Sequence, residues 1–286
     1  MVFRTEHRRA ATAGLQRYLR TSCLFLFVLC YGAQGAAVNS ERPPDFASMK
    51  NTKERKLAFF CYMAPLLETE NALVAKERAR LMRIHESQSQ GGSIDESDRR
   101  LMGELASKYK VRSEGLDAEL LEALLLHVDQ VPISLALAQA ANESAWGTSR
   151  FAREGNNYFG HWCFRKGCGI VPLERPDGAS YEVRHFAGAR QSVAAFISNL
   201  NTNAAYASFR TIRSNERSQG VVPSGLATAE GLEKYSARGV EYVKTLQSMI
   251  RYNRLKSFDE PKGTDSTCRD QRARTAETGE DSKSPA

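Results

Sequence analysis

Apolar residues recur at helical spacing along most of this chain, and only one central stretch breaks the rhythm. Helix is predicted from Thr52 through TKERKLAFFCYMAPLLETENALVAKERARLMRIHES, with Pro65 ending or kinking a first helix near Ala64 and a second running to about Glu86. Its alternating charges suit a solvated face. Residues 88–93 form a Gly/Ser/Gln linker. Further helices are expected at 94–109 and 116–128, the latter with Leu120, Leu121, Leu124 and Leu125 as core. A helix opening at Pro132 follows. GNNYFG (155–160) is turn-rich, and short strands are expected at 169–173 and 181–186 around Pro176-Asp177-Gly178. Helical patterns return at 190–201, 204–219, 228–236 and 240–253. The fold class is therefore α+β, mostly helical, with one small β element. From about Phe258 the chain is polar and poor in large apolar residues, which predicts a disordered tail over 258–286.

The helix after Pro132 differs from the others. Leucines and alanines occupy most of its positions, so neighbours can approach on nearly every side, and it is expected to be buried. Gln139, Asn142 and Glu143 share one stripe by their three- and four-residue spacing. Trp146 lies three beyond Glu143, and Gly147 supplies a stop. A lone Glu in a helix is most often surface charge or half of an ion pair. An acid at the end of a buried helix beside an indole is also a candidate proton donor, because apolar surroundings disfavour a charged carboxylate.

At 286 residues the chain can hold one or two domains. Its N-terminus stands apart. Arg4, Arg8, Arg9, Arg17 and Arg20 precede the apolar run Cys23 to Tyr31, and small residues at 33–37 offer a cleavage site. That is a secretory signal pattern over 1–36, too short for a comfortable transmembrane helix, with an uncleaved anchor as the alternative. A periplasmic or secreted location follows. Residues 37–51, with Pro43-Pro44, read as a linker. Cleavage after Ala36 removes five arginines and Glu6, lowering the formal charge from +7 to about +3. The remaining balance suits an anionic polymer such as a cell-wall glycan without requiring one. Nucleic acid is not expected, since no basic stripe is interleaved with aromatics.

Six cysteines become four after export. Cys163 and Cys168 enclose a short loop, and an oxidising compartment favours a disulfide between them. The rival is zinc held by these two thiols with His161 and His185, at irregular spacing. Cys268, in the tail, is expected to stay unpaired. No cofactor is expected.

The segments ERKLAFF, LLETENALV, VPISLALAQAANESAWG, GNNYFGHWCF, YEVRHF, SVAAFISNLNTNAAY and YSARGVEYVKTLQSMIRYN together resemble the bacterial Bax-like proteins of the glucosaminidase group, glycoside hydrolase family 73. The likeness spans roughly residues 42–255. It implies a lysozyme-like domain at 94–257 with a small β lobe, preceded by N-terminal helices and a linker at 52–93. It also implies hydrolysis of the β-1,4 bond after N-acetylglucosamine in peptidoglycan glycan strands. Glu143 matches the family's general acid in its Glu-x-x-Trp-Gly setting.

A second carboxylate is sought in the β lobe among Glu174, Asp177 and Glu182. Alternatively the substrate's own acetamido oxygen attacks, oriented by Tyr235, which matches the tyrosine of the family's late motif although Tyr-Ser-Ala-Arg replaces its usual ending. Tyr242 is read as core or rim. Gln139, Trp146, Asn157 and Tyr158 are expected to line the glycan site: Asn157 by bonding an acetamido group, Tyr158 by stacking on a pyranose. Phe159 is left to the core. Rival activities are a lytic transglycosylase on the same fold, a non-catalytic glycan-binding module, and a zinc amidase built on the Cys/His set.

Overall fold

The computed structural model describes residues 42–112, 117–260, 264–270 and 273. The expected export segment lies outside them, as does the tail beyond 273. Helix α1 (Thr52–Ser89) starts at Asn51, whose side chain accepts from the backbone N–H groups of Lys53 and Glu54. It runs unbroken through Pro65, so the two helices expected there are one. Proline removes one backbone donor, but Met63, Ala64, Leu66 and Leu67 around it are buried, and that packing outweighs the local penalty. Helix α2 (Glu96–Tyr109) starts from an Asp95 cap, and α3 is Asp117–His127.

Helix α4 (Ile133–Ser144) is the centre of the molecule. Leu135, Ala136, Leu137, Ala138, Ala140 and Ala141 are all fully buried. Around α4 pack α1, α8 (Gly225–Thr228), α9 (Val240–Tyr252) and the closing 3-10 turn Leu255–Asp259. The small side chains permit this crowding. At Gly225 a β-carbon would fall 2.0 Å from Ser134 Oγ, so α8 can approach α4 this closely only as glycine.

A short helix α5 (Arg150–Gly155), absent from the expectation, follows α4 and is capped by Ser149. The sheet then forms from β1 (Trp162–Cys163), β2 (Gly169–Ile170) and β3 (Glu182–Arg184) in the order β1-β3-β2, antiparallel throughout. Trp162 pairs with Val183, Cys163 with Glu182, and Ile170 with Val183. Strand β1 was not expected, and β2 stops well before Leu173, which is 87% exposed. Helices α6 (Ala189–Thr202) and α7 (Ala207–Ser218) follow, α7 after a 3-10 turn at Ala204–Tyr206. The helix expected at 228–236 is α8 plus a 3-10 turn, Ala229–Tyr235. The fold is a mostly helical α+β lysozyme-like domain with a small sheet.

The start of the tail is ordered, which corrects the expected disorder from 258 onward. Phe258 is buried, and Asp259 accepts from the backbone N–H and the hydroxyl of Ser134, supplying the N-terminal cap that Pro132 cannot. Residues 264–270 are helical. Thr264 N–H donates to Glu68 at 2.8 Å, and Cys268 is disulfide-bonded to Cys61 on α1. Cys268 is therefore not free. With the two cysteines 207 positions apart, no local spacing announces the bond. Nor does residue 93 separate two cores, because α1 packs on α3, α4 and α6 in one hydrophobic cluster.

Candidate active site

Glu143 sits half-buried on the last turn of α4. Its Oε1 accepts two hydrogen bonds, from the Tyr242 hydroxyl at 2.9 Å and from Asn142 Nδ2 at 3.0 Å. The Tyr242 oxygen in turn accepts from Gln139 Nε2 at 3.0 Å. This chain of donors runs in one direction, from Gln139 through Tyr242 to Glu143. Burial, followed by the nearby Glu143 charge, holds the Tyr242 hydroxyl far above its ordinary pKa, so it remains a donor. Oε2 has no hydrogen-bond partner among the described residues. It faces Gly160, where a β-carbon would come within 3.5 Å of it. Gly160 has φ +68°, a conformation that favours glycine.

Two more tyrosines complete this wall. Tyr235 lies parallel to Tyr242, with centroids 5.5 Å apart and planes 1° apart, and donates to the Phe159 carbonyl at 2.9 Å. Tyr206 stands 5.7 Å from Tyr235. Burial first, and Glu143 second, raise the Tyr235 pKa well above normal; burial raises Tyr206 as well.

The expected stripe is only half right. Gln139 is fully buried, so it supports Tyr242 rather than lining a glycan groove, and its Oε1 has no partner among the described residues. Trp146 is not on the stripe at all. The helix stops at Ser144, and Ala145, Trp146 and Gly147 all take positive φ, which breaks the i, i+3 relation on which the expectation rested. The indole packs edge-on against Phe60 at 5.2 Å and Phe59 at 6.1 Å on α1, with Lys56 Nζ 4.6 Å from its ring centre.

The turn-rich loop is likewise structural. Asn157 is 1% exposed, and its amide is fully engaged: Nδ2 donates to the carbonyls of His161 and Arg184, and Oδ1 accepts from His161 N–H. Buried with both amide protons spent, it does not reach an acetamido group. Tyr158 is equally buried, near Phe59 and Tyr62 with its hydroxyl bonded to Tyr62, and cannot stack on a pyranose. Phe159 stacks on Phe196 at 4.0 Å, in the core as expected.

In the β lobe, Cys163 and Cys168 are disulfide-bonded. Glu182 is 4% exposed, and its two oxygens accept from Gly167 N–H at 2.9 Å and Gly169 N–H at 2.8 Å. Those bonds, Gly167's first, hold its carboxyl below the usual range. Glu182 thus closes the disulfide loop. Cys163, Cys168 and Glu182 cluster within 4.8 Å, but sulfurs joined to each other offer no thiolate, which removes the basis of the zinc amidase. Glu174 and Asp177 are exposed in the β2–β3 connection, without a hydrogen bond or ion pair among the described residues. Burial, and secondarily Arg184, push the His161 pKa down to about 4. Tyr242 is buried, in keeping with its reading as core, but its bond to Glu143 joins residues 99 positions apart and has no local signal; Tyr206 had none either.

Residues 123–255 match the family model Glucosaminidase, described as mannosyl-glycoprotein endo-β-N-acetylglucosaminidase. The chain is also 32% identical over 218 residues to Protein bax of Escherichia coli (strain K12), an alignment covering 76% of each. No solved structure matches it. The matched family segment begins within α3 and ends after α9, and so takes in Glu143, all three tyrosines and the β lobe.

Proposed function

The chain belongs to the bacterial Bax-like glucosaminidase group, and from that premise we propose an exported endo-β-N-acetylglucosaminidase acting on peptidoglycan, with Glu143 as general acid. Membership supports a glycan-cleaving, glycoside hydrolase-like enzyme. The finer reading rests on one observation: both side-chain donors reach Glu143 Oε1 and leave Oε2 open. In the neutral acid the proton then belongs on Oε2. It passes to the glycosidic oxygen as the bond to the anomeric carbon breaks and that oxygen keeps the electron pair. Tyr242 and Asn142 stabilise the carboxylate left behind, and water completes the hydrolysis at the anomeric carbon.

The base role falls to Glu174 or Asp177 rather than Glu182, whose oxygens hold the β lobe together. The Tyr235 hydroxyl donates its hydrogen bond to the Phe159 carbonyl, so toward an acetamido group its oxygen is available as an acceptor from the N–H. Export is supported by the N-terminal pattern and by two disulfides, Cys61–Cys268 and Cys163–Cys168. Purified protein should release reducing ends from peptidoglycan, and Glu143→Gln should abolish this. Full activity in that variant would remove Glu143 from the role.

The engagement of Glu182 favours one second reading, lytic transglycosylase chemistry, in which a sugar hydroxyl of the substrate replaces water. Product masses separate the two, because an anhydro end appears only in the second.

A further inference from the structure

We propose that the indole of Trp162, braced by Tyr181, is a sugar-stacking platform on the β lobe that holds a β-linked N-acetylhexosamine chain beside Glu143. The proposal rests on the glycan-cleaving reading above and adds a contact to it.

Exposed apolar side chains are ordinary on protein surfaces, and exposure alone would carry nothing. Trp162 is set apart by position, rigidity and chemistry. Gly160, the glycine packed against Glu143 Oε2, lies two residues upstream. Two residues of chain span at most about 7 Å, so the backbone of Trp162 is within that distance of the proton donor's neighbour. A glycan entering far enough to reach Oε2 therefore passes close to the residue that carries the indole.

The ring is also braced. Trp162 is on β1, paired with Val183 on β3, and the next residue is locked by the Cys163–Cys168 disulfide. Tyr181 meets the indole edge-to-face, with centroids 4.7 Å apart and planes at 82°. Despite these restraints Trp162 remains 51% exposed. A large flat side chain braced on one edge but left open to solvent is partly preorganised for a ligand, since less side-chain freedom remains to be lost on binding.

Its chemistry fits a sugar. The C–H face of a pyranose packs on an aromatic face, and the indole N–H, which has no hydrogen-bond partner among the described residues, can donate to a hydroxyl or an acetamido oxygen. Tyr252, more exposed at 79%, lies on the far turn of α9 with Lys56 5.4 Å from its ring centre, and serves as a comparison.

The test uses the full mature protein carrying Glu143→Gln, titrated with N-acetylchitohexaose and with soluble peptidoglycan glycan strands by calorimetry. The chain has two tryptophans, so the fluorescence change on binding should also vanish when Trp162 is replaced while Trp146 remains. Trp162→Ala should weaken binding about tenfold, the scale of losing an aromatic anchor, and Trp162→Phe should retain most of the affinity. Tyr252→Ala should leave it unchanged. With Glu143 intact, Trp162→Ala should raise KM while kcat changes little. Equal affinity of Trp162→Ala and its parent, in a protein that does cleave glycan, overturns the platform and leaves the glycosidase reading standing. The platform is overturned in the same way if Trp162→Ala loses only binding to anionic vesicles. Failure of the parent both to bind and to cleave glycan overturns the two together.

Discussion

The two sides of the Glu143 site are built by opposite means. On the helical side, Gln139, Tyr242 and Tyr235 hang from α4, α9 and a 3-10 turn that the surrounding core already fixes, and Gln139 and Tyr242 are buried. The β lobe has strands of two and three residues, far below what a free-standing sheet needs. It holds its shape through local ties: the Cys163–Cys168 bond, Glu182 on two backbone N–H groups, and Asn157 bridging His161 and Arg184. A core can present a side chain without covalent help. A lobe this small cannot, and its buried polar residues are consumed in holding it together. Asn157 and Tyr158, which looked like ligands for a glycan, and Glu182, a candidate second carboxylate, are placed in structural roles.

The sharpest way to break the contrast is to remove chemistry without touching packing. Glu143→Gln keeps an oxygen that can accept from Tyr242 and Asn142, so release of reducing ends should fall roughly a thousandfold with the thermal midpoint nearly unchanged. Next in size, Cys61→Ser with Cys268→Ser should cost about 2–4 kcal/mol in a denaturant titration, because that bond closes the longest loop in the helical body. Tyr242→Phe removes a donor to a carboxylate, and kcat should fall about 10- to 100-fold while the protein stays folded. Asn157→Ala should show the reverse profile, a loss of about 1–3 kcal/mol in stability, with amide exchange rising first in the β lobe.

Acid should also separate the two sides. Glu182 has a lowered carboxyl pKa, so the stability it adds is complete above about pH 4.3 and is lost as pH falls through the lowered value. His161 is depressed to about 4, and its contribution is complete above about pH 6.5 and lost as pH falls through about 4. The tyrosines are raised and stay protonated over that range. Hydrogen exchange followed from pH 7 down to 3 should find the β lobe opening before α4 and α9, and His161→Phe should flatten the upper part of that response.

Much of the helical body was legible in the chain. The buried small-residue helix, its Glu143 terminus and the β insertion after it follow from periodicity and composition, which are local properties. Phe159 in the core was legible for the same reason. Pro65 misled because a local penalty was set against burial contributed by distant residues. Trp146 misled because the helix was carried two residues too far, into a stop made of three left-handed residues. The tail misled because its anchors, Ser134, Glu68 and Cys61, are more than a hundred residues away.

The sequence by itself determined where the acid stands and that the helix bearing it is buried. Both depend on spacing within a single element. Only the tertiary structure decided what Glu143 touches. Gln139 lies on its own helix, yet Tyr242, the residue that joins them, comes from α9, 103 positions beyond Gln139. Whether a polar side chain is free for a ligand depends on partners brought in by folding, and an isolated stretch of sequence does not carry that information.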